Sequence, residues 1–307
     1  MTNLLLGSGI IGNIARAIFN KDFYWVPFKR SRYYSFDVPF ADNFLIYDQK
    51  VSDFFTPFKI DVTPVFFKCP ISYQGQLMFQ EFPIVLDPYL SKVYGEQIPS
   101  VATKLLKSTF SVYQITAQAL YHRLEHSHEE EIQTNIRQDG ELIKIDLSKK
   151  EAVFKNGTRP FDKIISTIPL DALHSLCSLP FERKARSVCY YYIISEKVDL
   201  EGATQALVAD SDINFFKVCM LRPNNYIFWT LDAVENPLQY FGKFLTYRMD
   251  IVEAKRIENV IPLGDPPSLK HLEEKGIYCV GSNAQYDDFM DISSCVIRMM
   301  KLSKFNV

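Results

Sequence analysis

Three glycines, Gly7, Gly9 and Gly12, stand at G-x-G-x-x-G spacing in LLLGSGIIGNIARAI, residues 4–18. The chemistry this pattern suits is the cradling of a pyrophosphate. The first glycine permits a tight turn, the second lets backbone approach the phosphates, and the third lets helix and strand pack closely. The N-terminus of the following helix would then turn free N–H groups and a positive dipole end toward the anion. Taken alone the motif is a weak signal, and the alternative is a glycine turn that holds no ligand.

A ribose-binding carboxylate belongs at the end of the second strand, roughly twenty residues on. That region reads VPFKRSRYY, with Phe28, Lys29 and Arg30 where the acid is expected. Lys29, Arg30 and Arg32 either meet phosphate, which keeps an NADP-like ligand open, or form a solvated charge cluster. His122, His126 and His128 in YHRLEHSHEEE lack the H-E-x-x-H arrangement, because Arg123 follows the first histidine. No metal site is expected there, and Glu125 and Glu129–Glu131 read as a solvated helix end. A G-x-S-x-G nucleophile elbow is missing, which leaves a hydrolase without support.

The elements that must position the glycines follow from periodicity. Residues 3–6 read as a strand, NIARAIF as a helix and DFYWVPF as a second strand, a β-α-β start. Residues 31 to about 100 read as irregular, with strand-like pieces such as TPVFFKCPISY, and residues 99–127 as the longest helical pattern, either continuous or broken near Ser108 to Ser111. Asp139-Gly140 and Asn156-Gly157 are turn signals of a small β-meander that leads into a buried strand, KIISTIP. SVCYYYIIS, NFFKVCML and NYIFWTL read as further strands, followed by a helical stretch near 236–247. The closing part reads as strand GIYCVGS, loop NAQYDDF and a helix from Asp291 to Lys301. Side chains alternate along a strand, so Tyr190 and Tyr192 share one face and Tyr191 takes the other.

Composition sets the outer bounds. The 307 residues, 47% hydrophobic and 23% charged, suit about two domains with a sizeable core. A net charge of −2 provides no global field for nucleic acid or an acidic membrane. Six cysteines without C-x-x-C pairs read as reduced core residues, and no run reaches a membrane span, so a cytoplasmic location is expected.

Two further segments join the glycine loop: NGTRPFDKIISTIPLDAL (156–173) and GIYCVGSNAQYDDFMDISSCVIRM (276–299). The three in this order resemble the FAD-dependent amine-oxidase-like superfamily, nearest to UDP-galactopyranose mutase and protoporphyrinogen-oxidase-like members. The resemblance implies an α/β fold, with a Rossmann-like FAD/NAD(P)-binding domain of glutathione-reductase type and an interleaved mixed α+β substrate domain. The implied boundaries are 1–40 plus 131–175 plus 271–307 for FAD, and 41–130 plus 176–270 for substrate. Gly7, Ser8, Gly9, Ile11 and Gly12 match the loop at the FAD pyrophosphate. Thr167 and Pro169 match the strand end beside the nucleotide. Gly281, Ser282, Met290, Asp291 and Ile292 match the segment that holds the ribityl chain and pyrimidine edge. Where that segment commonly has Gly-Arg, this chain has Gly281-Ser282, which removes a cationic phosphate partner. An ordinary strand–loop–helix capped by Asp291 is the alternative.

The implied function is an FAD-dependent oxidoreductase that removes a hydride from a carbon next to nitrogen or oxygen of a small or nucleotide-linked substrate. No catalytic acid or base stands out; Tyr286 and Asp287 are the weak candidates. A mutase acting on a nucleotide sugar is one alternative, with Arg222 and Arg248 as candidate diphosphate partners. A degenerate flavin-binding subunit without catalysis is the other.

Overall fold

The computed structural model describes residues 2–19, 22–28, 44–46, 48–59, 63–79, 82–100, 102, 109–114, 124, 129–182, 184–195, 198, 200–234, 249–285 and 292–304. Strand β1 (Thr2–Leu6) runs into helix α1 (Ile10–Phe19) and returns as β2 (Phe23–Val26), parallel to β1. Its other neighbour is the far end of β10 (Gly157–Ser166), also parallel, in the register Leu4↔Ile164, Leu5↔Ile165 and Leu6↔Ser166. Strand β16 (Ile277–Cys279) pairs parallel with the same end of β10. The near end of β10 instead pairs antiparallel with β9 (Glu151–Phe154), which pairs with β8 (Leu142–Asp146). One strand thus belongs both to the meander and to the parallel sheet.

Both faces of this sheet are covered, as alternation requires. Leu5, Trp25 and Ile165 share a core with Ile14 and Phe19 of α1 and with Val296 and Met299 of helix α8 (Ile292–Lys304). Leu4, Leu6, Val26 and Ile164 enter the opposite core, together with Leu170 and Leu173 of α5 (Leu170–Leu176). Leu272 of the short helix α6 (Lys270–Glu273) joins them.

A second sheet runs in the order β15 (Met249–Pro262), β11 (Ala185–Ser195), β14 (Asn225–Thr230), β13 (Phe215–Arg222), β12 (Gln205–Val208), β5 (Ile71–Tyr73) and β6 (Gln76–Met78). Tyr190 and Tyr192 pack on one of its faces with Trp229 and with helix α3 (Phe82–Tyr94). Tyr191 packs on the other face with Phe215 and Phe228. Their hydroxyls are engaged as well: Tyr190 donates to Glu253 Oε1 at 2.9 Å, Tyr192 bonds Asn225 Oδ1, and Tyr191 accepts from the Val234 N–H. All three tyrosines belong to the core.

Four local expectations need correction. Residues 31–100 are not irregular throughout, because they contain α2 (Gln49–Phe55) and α3. The latter carries Pro88 inside it, which masks its helical pattern. The long helical pattern over 99–127 is interrupted by β7 (Thr109–Gln114), the middle strand between β3 (Phe44–Ile46) and β4 (Thr63–Lys68). Its sequence TFSVYQ, rich in β-branched and aromatic residues, favours a ladder with partners on both sides. Helix α4 (Glu129–Asp139) occupies the start of the expected meander, and Gly140 (φ +75°) ends it, donating to Ile136 O. Part of the NAQYDDF loop is a helical turn, α7 (Ser282–Gln285). The stretch 236–247 lies outside the described residues.

Candidate dinucleotide site

The glycine loop sits at the carboxyl ends of β1 and β10, where parallel α/β sheets place their ligands. Thr167 follows β10, and both its N–H and its hydroxyl donate to Leu6 O at 2.9 Å. A Cβ on Gly7, whose φ is +112°, would lie 2.2 Å from Thr167 Oγ1. A Cβ on Gly12 would lie 2.4 Å from Gly7 O and 3.2 Å from Thr167 Oγ1. Only glycine fits at either position. At Gly9 the opposite holds: an added Cβ meets nothing within 4 Å, and the residue is exposed. The first and third glycines therefore serve packing, while the second leaves backbone open for a ligand to approach.

The closing segment reaches the same place. Gly281, at φ +120°, has Ile11 as its nearest neighbour, with Cγ2 at 3.7 Å from the position of an added Cβ. Val280 donates to Ser166 O and so continues the alignment of β16 with β10. Ile10, Ile11 and Ile292 pack on one hydrophobic core, which ties the start of α8 to the start of α1. Pro169 precedes α5 as its N-cap residue, and Ser282 opens α7. Hence Gly7, Gly12 and Thr167 are in mutual contact range, and a side chain at Gly281 would meet Ile11. Lys29, Arg30, Arg32, Tyr286, Asp287, Met290 and Asp291 lie outside the described residues, as do His122, His126, His128 and Arg248. Arg222 ends β13, in the second sheet.

No acid stands at the end of β2: the strand finishes at buried Val26, and Phe28 follows, its carbonyl accepting from Ser8 Oγ at 3.2 Å. Two polar side chains that the sequence reading passed over hold the loop from below. Trp25 Nε1 donates to Gly7 O at 2.6 Å. Asn13 Nδ2 donates to Ser8 O at 3.1 Å and to Gly9 O at 3.0 Å, and Asn13 is 1% exposed. The available signal was an amide four residues after Gly9, in the first turns of the helix that follows the loop.

Helix α4 braces this unit. Glu131 accepts three bonds from Arg16 of α1, the shortest at 2.7 Å, so Glu131 is not a merely solvated residue. Asn135 Nδ2 donates to Trp25 O at 2.8 Å. Among the described residues no group of three or more His, Cys, Asp or Glu could hold a metal ion. No described helix is long and apolar enough to cross a membrane.

No protein-family model and no curated protein sequence matches the chain. Solved structures do match. A reduced UDP-galactopyranose mutase aligns over 99% of this chain and 93% of its own, at TM-score 0.68 and 12% identity. An oxidoreductase from Methanosarcina mazei aligns over 99% and 100%, at TM-score 0.62 and 14% identity. A triple mutant of putrescine oxidase aligns over 99% and 98%, at TM-score 0.56 and 8% identity. The chain thus shares the Rossmann-type α/β fold of these structures.

Proposed function

We propose that this chain binds FAD and acts as an oxidoreductase of the amine-oxidase-like kind on a small or nucleotide-linked substrate. The observation that carries this reading is the convergence of three distant segments on one open glycine. Gly7 and Gly12 are packed against Thr167, Gly281 lies beside Ile11, and Gly9 alone is left clear. That donor set fits a pyrophosphate: backbone N–H groups at the head of a ten-residue helix.

In this reading residues 7–12 hold the pyrophosphate, and Thr167 and Pro169 flank the nucleotide. Gly281, Ser282, Met290, Asp291 and Ile292 line the ribityl chain and pyrimidine edge, where the α8 N-terminus favours negative charge. Lys29 and Arg30 serve the adenosine end in place of the missing acid. Bound FAD supplies the capacity to accept a hydride equivalent from a carbon next to nitrogen or oxygen. The FAD unit comprises 1–40, 131–175 and 271–307, and the rest frames the substrate. All six cysteines are buried thiols outside any disulfide, which suits a reducing, cytoplasmic setting.

The mutase reading has one observation in its favour: the overlay on UDP-galactopyranose mutase is closer than that on putrescine oxidase, TM-score 0.68 against 0.56. Purification followed by flavin absorbance and mass identification of the released cofactor tests both. Protein that stays colourless after reconstitution with excess FAD refutes them and leaves a degenerate flavin fold that serves as a binding or assembly subunit. With FAD bound, anaerobic bleaching by amines supports the oxidase. Turnover of a nucleotide sugar only after prior reduction supports the mutase.

A further inference from the structure

The loop that would meet the pyrophosphate is held by side chains on a single side. Trp25 Nε1 takes Gly7 O at 2.6 Å, and Asn13 Nδ2 takes both Ser8 O at 3.1 Å and Gly9 O at 3.0 Å. Three consecutive carbonyls are therefore turned inward, toward β2 and the body of α1. In a planar trans peptide the C=O of one residue and the N–H of the next point in opposite directions. The N–H groups of Ser8, Gly9 and Ile10 must then turn outward, to the side where Gly9 is open. Consecutive N–H groups turned the same way form an anion-binding concavity.

We propose that Asn13 and Trp25 are positioning residues that preorganise residues 7–10 as a phosphate nest. This rests on the FAD reading and adds to it which side chains of this chain fix the loop that grips the pyrophosphate. The anchors are themselves fixed. Trp25 is fully buried, and its carbonyl is held by Asn135 of α4 at 2.8 Å. The Asn13 backbone N–H bonds Gly9 O at 2.9 Å, and Ser8 Oγ ties the loop to Phe28 O. A loop already set in its bound form loses less entropy when the ligand arrives, so the gain appears as affinity.

The test compares Asn13→Ala, Asn13→Ser and Trp25→Phe with wild type in FAD titrations of the apo protein, with apo melting curves as the control for folding. Alanine and serine are close in size, but a serine hydroxyl in a helix can donate to the carbonyl four residues back, here Gly9 O. The expected results are a tenfold or greater loss of FAD affinity in Asn13→Ala, partial recovery in Asn13→Ser, and a loss of similar order in Trp25→Phe. Wild-type affinity in both Asn13→Ala and Trp25→Phe overturns the proposal, as does equal loss in the serine and alanine variants. Those outcomes leave the FAD reading standing, whereas wild-type protein that takes up no FAD refutes both.

Discussion

Replacing Gly12 by Ala and Gly9 by Leu should separate the packing role of one glycine from the binding role of the other. A methyl at Gly12 lies 2.4 Å from Gly7 O and 2.8 Å from Gly7 C, both backbone atoms that cannot rotate away. Non-bonded atoms prefer roughly 3.5 Å, so α1 and the loop must part by about 1 Å. Overpacking of this kind costs about 1–3 kcal/mol, partly offset by the better helix propensity of Ala, at most about 1 kcal/mol. The apo protein should then melt lower by roughly 2–5 °C. At Gly9 an added Cβ meets nothing, so Gly9→Leu should leave apo melting near wild type. Its side chain fills the space the pyrophosphate would take, and each charged hydrogen bond lost weakens FAD by about tenfold or more. Paired melting curves and FAD titrations check this. Wild-type FAD affinity in Gly9→Leu would refute the placement of the pyrophosphate, and an unchanged melt in Gly12→Ala would refute the packing role of Gly12.

Lys92 Nζ donates to the carbonyls of Asp210, Ile213 and Phe215 at 2.7, 2.7 and 2.9 Å, so Lys92→Met should cost about 1–3 kcal/mol in urea unfolding by removing the donor they share. Burial lowers the Lys92 pKa to about 8 from the ordinary 10.5. The unfolded chain therefore binds more protons between those values, and stability from this group falls as pH drops from 10.5 through 8. Urea unfolding across that interval should show this slope in wild type and not in Lys92→Met. Glu131→Gln strands the buried Arg16 guanidinium and should cost about 2–3 kcal/mol, less than a fully buried pair because the Glu131 side chain is 32% exposed. The double variant Arg16→Met/Glu131→Leu should recover much of that loss in the same denaturation assay. Burial pushes the Cys177 and Cys279 thiols up to about 12, so a colourimetric thiol reagent at pH 8 should react with them only after denaturant is added.

What could be read from residues alone was whatever depends on local backbone demands and short periods. The spacing of Gly7, Gly9 and Gly12 states which positions tolerate no Cβ or need an open backbone, and each requirement is intrinsic to its residue. The alternation in SVCYYYIIS likewise places Tyr190 and Tyr192 on one face and Tyr191 on the other, whatever lies beyond. Helical periodicity misled at Thr109–Gln114, where a β-prone stretch between two partner strands interrupts the pattern. The turn signal misled at Asp139-Gly140, where one glycine conformation serves equally to turn a hairpin and to end a helix. Tertiary structure alone decided that Thr167 packs on Gly7 across 161 positions from its Leu6 partner, and that Trp25 and Asn13 turn the loop carbonyls inward. Those contacts depend on which strands lie side by side, and nothing local to the glycine loop specifies that Trp25 reaches under it.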